Sequence, residues 1–347
     1  MTITLQTKSG EFNIEGAPDE PVLHAGLRAG ISLPFECATG TCGTCRARVM
    51  TGEVDRGWED APGASKLKKE KGDVLMCQAV ARGDCLLRIP SETPSLDGPA
   101  DWPSLCQGRV DFAERLTADV MHIEIVLPAP ITFEAGQFMV VTAPAIIGGR
   151  AYSMVNYAEK TDRLAFVIKR KPEGAFSDWL FENDATGTEL RLFGPLGRAV
   201  FRPEEALDLL CIAGGSGIAG LMSILDHAVS VGHFAEHTGR LFFGVRTLED
   251  GFYLSELASL VDKADGALEV TLALSDEARP STTHPSFPKI RLAEGFVHEA
   301  ASHAIDGPLD NTLGFVAGPP PMVDGAIRML IGKAGLTPGR IRYDKFS

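Results

Sequence analysis

Four of the seven cysteines in this 347-residue chain are spaced for metal chemistry. Cys37, Cys42 and Cys45 form C-x4-C-x2-C, and Cys77 follows in Leu75-Met76-Cys77-Gln78. Three clustered thiolates with one distant thiolate are the ligand pattern of a [2Fe-2S] cluster, because a tight loop supplies three ligands and a separate strand supplies the last. Gly40 and Gly43 let the loop turn its N–H groups toward the cluster sulfurs, which lowers the cost of their negative charge. The competing reading is a structural zinc site with four cysteines. Zinc, however, usually draws on two separated C-x2-C pairs, and this sequence holds one. Cys85 competes with Cys77 as fourth ligand, but it sits in the strand-like run Asp84 to Ile89 and reads as a buried structural thiol. Cys106 and Cys211 read the same way.

Other stretches suit cofactors that carry phosphate. Gly174-Ala175-Phe176-Ser177, followed by Asp178-Trp179-Leu180, reads as a glycine turn opening a helix, and free N–H groups at a helix N-terminus bind phosphate. Gly214-Gly215-Ser216-Gly217-Ile218-Ala219-Gly220 follows the apolar run Leu209 to Ala213 and contains a literal G-x-G-x-x-G, which brings in a conventional Rossmann dehydrogenase. That reading expects an acidic residue at the end of the second strand. Here the strand ends Gly244-Val245-Arg246, with Glu249 and Asp250 only later. Two more motifs stand apart: Arg150-Ala151-Tyr152-Ser153 at a strand end, and Ala317-Gly318-Pro319-Pro320-Pro321-Met322 near the C-terminus.

The elements that must position these residues fall into three groups. Residues 2–15 alternate with period two around Lys8-Ser9-Gly10 and predict a β-hairpin, Pro21 to Gly30 predicts a helix closed by Gly30, and Arg46 to Val49 predicts another strand. Residues 90–105 carry four prolines and little periodicity, as a linker does. From Gln107 to Arg202, strand-like runs (122–127, 137–142, 163–168 and 189–193) are separated by Gly and Pro signals, which suggests a small antiparallel barrel. After Pro203, apolar strands alternate with helices (209–213, 218–231, 241–245, 253–263 and 268–274), and this gives a parallel doubly wound sheet. The expected domains are 1–92, a linker over 93–105, 106–203 and 204–347.

With these motifs in this order, the sequence resembles the reductases of multicomponent oxygenases, with a plant-type ferredoxin first, a ferredoxin–NADP reductase-like flavin domain second and an NAD domain third. Phe35-Glu36-Cys37 through Cys45, the segment Trp58 to Gly63, and Cys77-Gln78 carry the ferredoxin resemblance. The implied fold is multidomain: an α+β β-grasp ferredoxin, an antiparallel β-barrel flavin domain and an α/β doubly wound NAD domain. Arg150-Ala151-Tyr152-Ser153 resembles the R-x-Y-S flavin motif. The resemblance implies that Arg150 pairs with the FAD pyrophosphate, Tyr152 lies against the isoalloxazine ring, and Ser153 hydrogen-bonds flavin N5. Ile168 and Lys169 are expected beside the cofactor, and Gly174 to Ser177 at its pyrophosphate, with Ala175 standing where the family usually has a glycine or arginine. The loop Gly214, Gly215, Ser216 and Gly217 resembles the family's G-G-x-G facing the dinucleotide. Gly244 to Asp250 resembles its adenosine-ribose region, where Asp250 favours NADH and Arg246 points the other way. Gly318, Pro319, Pro320 and Met322 belong to the family's C-G-P-P-P-M motif beside the nicotinamide, with Ala317 replacing the cysteine. The terminal Phe346 resembles the aromatic residue that reaches the flavin; a core position is the alternative.

Composition bounds the rest. Apolar residues make up 44% and charged residues 23%, the balance of a globular protein. The net charge of −13 argues against nucleic acid, which needs a cationic face. No apolar stretch approaches the roughly 20 residues that cross a bilayer, and the start lacks the pattern of a secretory signal, so a cytoplasmic protein with no membrane partner is expected. A monomer is expected too. The eight histidines make no ligand set, so the oxygen-activating centre is expected elsewhere, in an oxygenase component or a separate ferredoxin-linked partner. Lys66, Lys68, Lys69 and Lys71 read as a solvated face or a docking patch. The alternatives are a reductase for a non-oxygenase acceptor, as in deoxysugar biosynthesis, and a pure electron-carrier module.

Overall fold

The computed structural model describes residues 1–94, 102–144 and 146–345. Phe346 and the middle of the expected linker lie outside the described residues. The chain divides into two compact units, one of Met1–Gln107 with Met139–Ala151 and Leu190–Leu196, the other of Gly108–Phe138, Tyr152–Glu189 and Gly197–Ser347.

In the first unit the alternating N-terminal residues form β1 (Thr2–Thr7) and β2 (Gly10–Glu15), an antiparallel hairpin as expected. Helix α1 (Val22–Arg28) follows and buries Val22, Leu23, Ala25 and Leu27. Then come β3 (Arg46–Thr51), β4 (Val54–Asp55), β5 (Asp73–Leu75), β6 (Val80–Ala81) and β7 (Cys85–Arg88). The five-stranded sheet runs β2-β1-β7-β3-β5, with β1 and β7 parallel. One helix against such a sheet is the β-grasp, and Ile3, Leu5, Leu23, Leu33 and Leu87 are wholly buried between them. Cys85 is buried in β7, in keeping with a structural thiol.

Next in the chain are β8 (Ser104–Thr117), β9 (Val120–Ile131), β10 (Phe138–Thr142), β11 (Arg150–Ser153), β12 (Thr161–Lys169), α2 (Ala175–Glu182) and β13 (Glu189–Leu196). Strands β11-β10-β13 adjoin one another and fall mainly in the first unit, while β8-β9-β12 adjoin in the second. The pairs β8–β9 and β9–β12 are antiparallel, as the Gly- and Pro-punctuated runs predict.

The rest of the second unit is the doubly wound layer: β14 (Asp208–Gly214), α3 (Ile218–Ser230), β15 (Gly239–Val245), α4 (Leu254–Lys263), β16 (Leu268–Leu274), β17 (Ile290–Glu294), α5 (Val297–Ala304), β18 (Thr312–Gly318), α6 (Pro320–Gly332) and β19 (Ile341–Lys345). The sheet order is β17-β16-β15-β14-β18-β19 and every pair is parallel. Period-two alternation along β14 feeds two cores. Leu209, Cys211 and Ala213 pack with α3 and α4 residues, and Leu210 and Ile212 with α5 and α6 residues. The Cys211 thiol is pushed up to about 12 by burial, as an inert structural thiol should be. Strand order reverses around β14, and the crevice at the carboxyl end of such a strand is where this topology binds ligands.

Candidate functional site

The thiol loop is built by strand pairing. Arg46 of β3 pairs with Leu75 of β5, and the Met76 N–H donates to Cys45 O at 2.9 Å. Cys45 therefore stands beside Cys77, with the two Sγ atoms 3.2 Å apart. Helix α1 braces the same segment: the Val22 and Leu23 N–H groups donate to Ala79 O and Met76 O. The loop from Ala38 to Gly43 needs left-handed residues at Gly40 (φ 96°) and Gly43 (φ 82°), and these turn N–H groups inward. Thr39 N–H and Cys42 N–H both donate to Cys37 Sγ at 3.4 Å, Thr44 N–H to Cys42 Sγ at 3.4 Å, and the Gln78 side-chain amide to Cys77 Sγ at 3.7 Å.

The four thiols thus stand as two pairs, Cys37 with Cys42 and Cys45 with Cys77. Hydrogen bonding from Cys42, then from Thr41 and the backbone, outweighs burial and holds Cys37 down to about 4, while Cys42 is raised by sharing that proton and by burial. Cys45 is likewise lowered by its bond with Cys77, and Cys77 raised. Among the described residues no three His, Cys, Asp or Glu side chains are set to hold a single ion. Two pairs supplied with N–H donors fit a cluster of two irons, each taking two thiolates. Lys66 is exposed and Lys69 partly so, in keeping with a solvated face, and both also bond to the backbone. Their Nζ atoms donate at 2.8 Å to Cys42 O and Glu59 O, so they tie the loop and the Trp58–Gly63 segment together.

In the second unit Tyr152 and Ser153 end β11. Ser153 is 4% exposed and its Oγ is buried with no hydrogen-bond partner. A buried hydroxyl is ordinarily satisfied, and this one is open to a further polar partner. The Tyr152 ring lies 5.5 Å from Phe176 of α2, tilted by 39°. At the start of α2, Gly174 is the N-cap with no side-chain cap bond, which leaves the first N–H groups of the helix, at Ala175, Phe176 and Ser177, free for an anion. The Ser177 hydroxyl instead closes the turn on Lys171 and Gly174, at 3.1 to 3.2 Å. Arg150 donates to Gly149 O at 3.0 Å and is partly exposed. Ile168 is fully buried in β12, and its neighbour Lys169 reaches Asp119 at 3.4 Å. An orphaned hydroxyl, an aromatic face and an uncapped helix start suit a flavin dinucleotide.

The glycine loop meets this site directly. A Cβ on Gly220 of α3 would stand 3.4 Å from Ser153 Cβ and 3.6 Å from its Oγ, so the third glycine of G-x-G-x-x-G brings α3 against the R-x-Y-S strand. A Cβ on Gly217 would stand 2.2 Å from Ala317 O, which allows the loop to close on β18. Ala317 pairs with Ala213 of β14 and Asp344 of β19 and is 5% exposed. Gly318, Pro319 and Met322 pack on Gly214, and Pro320 starts α6. The motifs around residues 153, 215–220 and 317–322 therefore converge. Ser216 lies in the single turn Gly215–Gly217 that leads into α3. Arg246, just beyond β15, is paired with Asp250 at 2.9 Å and with Asp119 at 3.0 Å. The motif analysis does not find Asp119, because a lone acid in the turn between β8 and β9 carries no spacing signal. Gln78 and Lys66 are likewise invisible as loop partners until the loop is folded.

Sequence profiles match three segments: the 2Fe-2S iron-sulfur cluster binding domain over residues 4–82, the oxidoreductase FAD-binding domain over 107–201, and the oxidoreductase NAD-binding domain over 211–328. The chain is 36% identical over 329 residues to the ferredoxin–NAD(+) reductase component of the alkene monooxygenase system of Xanthobacter autotrophicus, with 94% of this chain and 96% of that one covered. It is 34% identical to the ferredoxin–NAD(P)(+) reductase CarAd of Metapseudomonas resinovorans, over 94% of each. The solved ferredoxin reductase in carbazole 1,9a-dioxygenase aligns with a TM-score of 0.84 at 32% identity, over 100% of this chain and 99% of that one. The thiol loop, the orphaned Ser153 hydroxyl and the glycine loop are thus the chain's own parts of three known cofactor domains. The chain belongs to the family of ferredoxin–NAD reductase components of oxygenase systems, flavoproteins that carry electrons from NADH through FAD and a [2Fe-2S] cluster.

Proposed function

We propose that Cys37, Cys42, Cys45 and Cys77 hold the cluster, that Arg150, Tyr152, Ser153 and residues 174–177 hold FAD, and that residues 214–217, Asp250 and residues 317–322 hold NADH. The acceptor of the single electrons is an oxygenase component or an intermediate ferredoxin in a system that breaks down aromatic compounds. When bound, FAD would supply a hydride acceptor for the nicotinamide that can give up electrons singly, and the cluster on the four cysteines would supply a one-electron carrier. Ser153 Oγ would hydrogen-bond flavin N5, and Gly220, with no side chain, permits the close approach of α3 to Ser153. The N–H groups of Ala175 to Ser177 would hold the pyrophosphate, while the cysteine loop supplies N–H groups to the thiols. The observation that carries this reading is the buried, partnerless Ser153 hydroxyl lying against the last glycine of the nucleotide loop.

Domain boundaries at 1–92, 106–203 and 204–347, joined by 93–105, are in keeping with the profile matches, which begin and end inside them. All seven cysteines are free, which suits the reducing cytoplasm. Among the described residues no helix is long and apolar enough to cross a membrane.

Purified protein is expected to contain about two irons, about two acid-labile sulfides and about one FAD per chain. Stoichiometric zinc without iron, or FMN in place of FAD, would overturn the assignment. Reconstitution with candidate acceptors separates an oxygenase partner from the acceptor of a deoxysugar pathway.

A further inference from the structure

Arg246 looks, in the sequence, like a mark of NADPH, because a cation at the end of the second strand pairs with a 2′-phosphate. Its surroundings reverse that sign. Arg246 Nη2 lies 3.0 Å from Asp119 Oδ2 and 2.9 Å from Asp250 Oδ1, and its Nε lies 3.2 Å from Asp250 Oδ2. Asp250 is itself fixed by the backbone N–H and hydroxyl of Thr247, at 3.2 and 3.1 Å. Asp119, in the turn between β8 and β9, also lies 3.4 Å from Lys169 Nζ. The Lys169 side chain is 3.9 Å from where a Cβ on Gly215 would stand. One carboxylate therefore links the cation beside the glycine loop to the cation at the ribose end. Asp276 adds a third acidic group acting on Arg246, and its N–H donates to Arg246 O at 2.9 Å.

We propose that Asp119 is a positioning residue that, with Asp250, masks Arg246 and so sets the preference for NADH over NADPH. The inference rests on the dinucleotide site assigned under Proposed function. A 2′-phosphate brought to Arg246 has to displace carboxylates already bonded to it, and it meets Asp119, Asp250 and Asp276 as like charges. A 2′-hydroxyl meets the same carboxylates as a hydrogen-bond donor. The discrimination is thus a built-in repulsion as well as an attraction. The Arg246 side chain is half-exposed, and exposed ion pairs hold weakly. Loss of Asp119 leaves Arg246 held by Asp250 alone and lowers the negative charge that a 2′-phosphate meets there.

The test uses the full chain loaded with FAD and cluster, as wild type, Asp119→Asn and Asp119→Asn/Arg246→Ala. Steady-state kcat/KM for NADH and NADPH is read with ferricyanide as acceptor, alongside inhibition by 2′,5′-ADP. Asp119→Asn should raise the NADPH-to-NADH ratio about tenfold and tighten 2′,5′-ADP inhibition, and the double variant should lose both gains. A merely structural turn residue would lower both activities together. An unchanged ratio in Asp119→Asn, or a gain that survives the loss of Arg246, overturns the proposal while leaving the nucleotide site standing. A wild-type protein that oxidises neither nucleotide overturns both.

Discussion

Ser153 is the side chain on which the proposed flavin site turns. Its Oγ is enclosed and without a partner, and a Cβ placed on Gly220 would stand 3.6 Å from it. Loss of a preorganised donor to a reacting atom typically slows a step on the order of 10²-fold. Ser153→Ala should therefore retain FAD, whose phosphate contacts are elsewhere, and slow flavin reduction by NADH by roughly that factor. Stopped-flow reduction at the wild-type rate would contradict the role. The sequence announces Ser153 because R-x-Y-S is a contiguous motif, and it announces the four cysteines because ligand spacing is rigid. It names Gln78 and Lys66 without what they bond to, and it does not single out Asp119 at all. Asp119 and Lys66 act on residues brought near only by folding, Asp119 on Arg246 at 3.0 Å and Lys66 on the Cys42 carbonyl at 2.8 Å, while the Gln78 side-chain amide turns back onto its chain neighbour Cys77 at 3.7 Å.

Among the elements, those with a clear hydrophobic period were readable. The β1–β2 hairpin, α1, β14 and α3 fall within a few residues of where alternation and Gly signals put them. The turns at Pro62–Lys66 and Lys69–Lys71 were not readable, since a single 3₁₀ turn has no period to detect. Helix α1 also carries a feature no pattern predicts. The His24 ring stacks on Phe193 with centroids 3.8 Å apart, and its Nε2 is buried without a partner. Burial, with a smaller push from Arg191, outweighs the pull of Glu20 and drives the imidazole down to about 4. In the unfolded chain the same group titrates near its ordinary value of roughly 6.5. The folded state thus binds fewer protons, and the stability present above that ordinary value is lost as pH falls from there toward the folded value. Between about pH 7.5 and about pH 5.5 this single group should remove roughly 1 kcal/mol. Urea unfolding of the wild type and of His24→Leu at both pH values is the check. The variant should lose about that much less stability across the interval, and equal losses would show that His24 is not the group concerned.

For the whole molecule, the order of motifs was more informative than any one of them. A thiol loop, an R-x-Y-S strand, a glycine loop and a Gly-Pro-Pro segment in that order describe a chain that gathers a hydride acceptor and a one-electron carrier into one polypeptide. The doubly wound layer was legible because β14, β15, β16 and their helices alternate cleanly. The division into compact units was not, because strands distant in sequence, β10, β11 and β13, cluster with the N-terminal residues. The net charge of −13 is also uneven. Residues 1–92 hold 11 basic and 13 acidic side chains, against 22 and 33 beyond them, so a partner that meets the cluster end encounters the less acidic part of the chain. The central claim is the direction of flow, from NADH to FAD and then to the cluster held by Cys77 and its three companions. Anaerobic stopped-flow mixing with NADH, with flavin and cluster absorbance followed in wild type and in Cys77→Ser, tests it most directly. The account predicts flavin bleaching before cluster reduction in the wild type and flavin bleaching alone in Cys77→Ser, whereas cluster reduction that precedes the flavin phase, or proceeds in flavin-free protein, would contradict it.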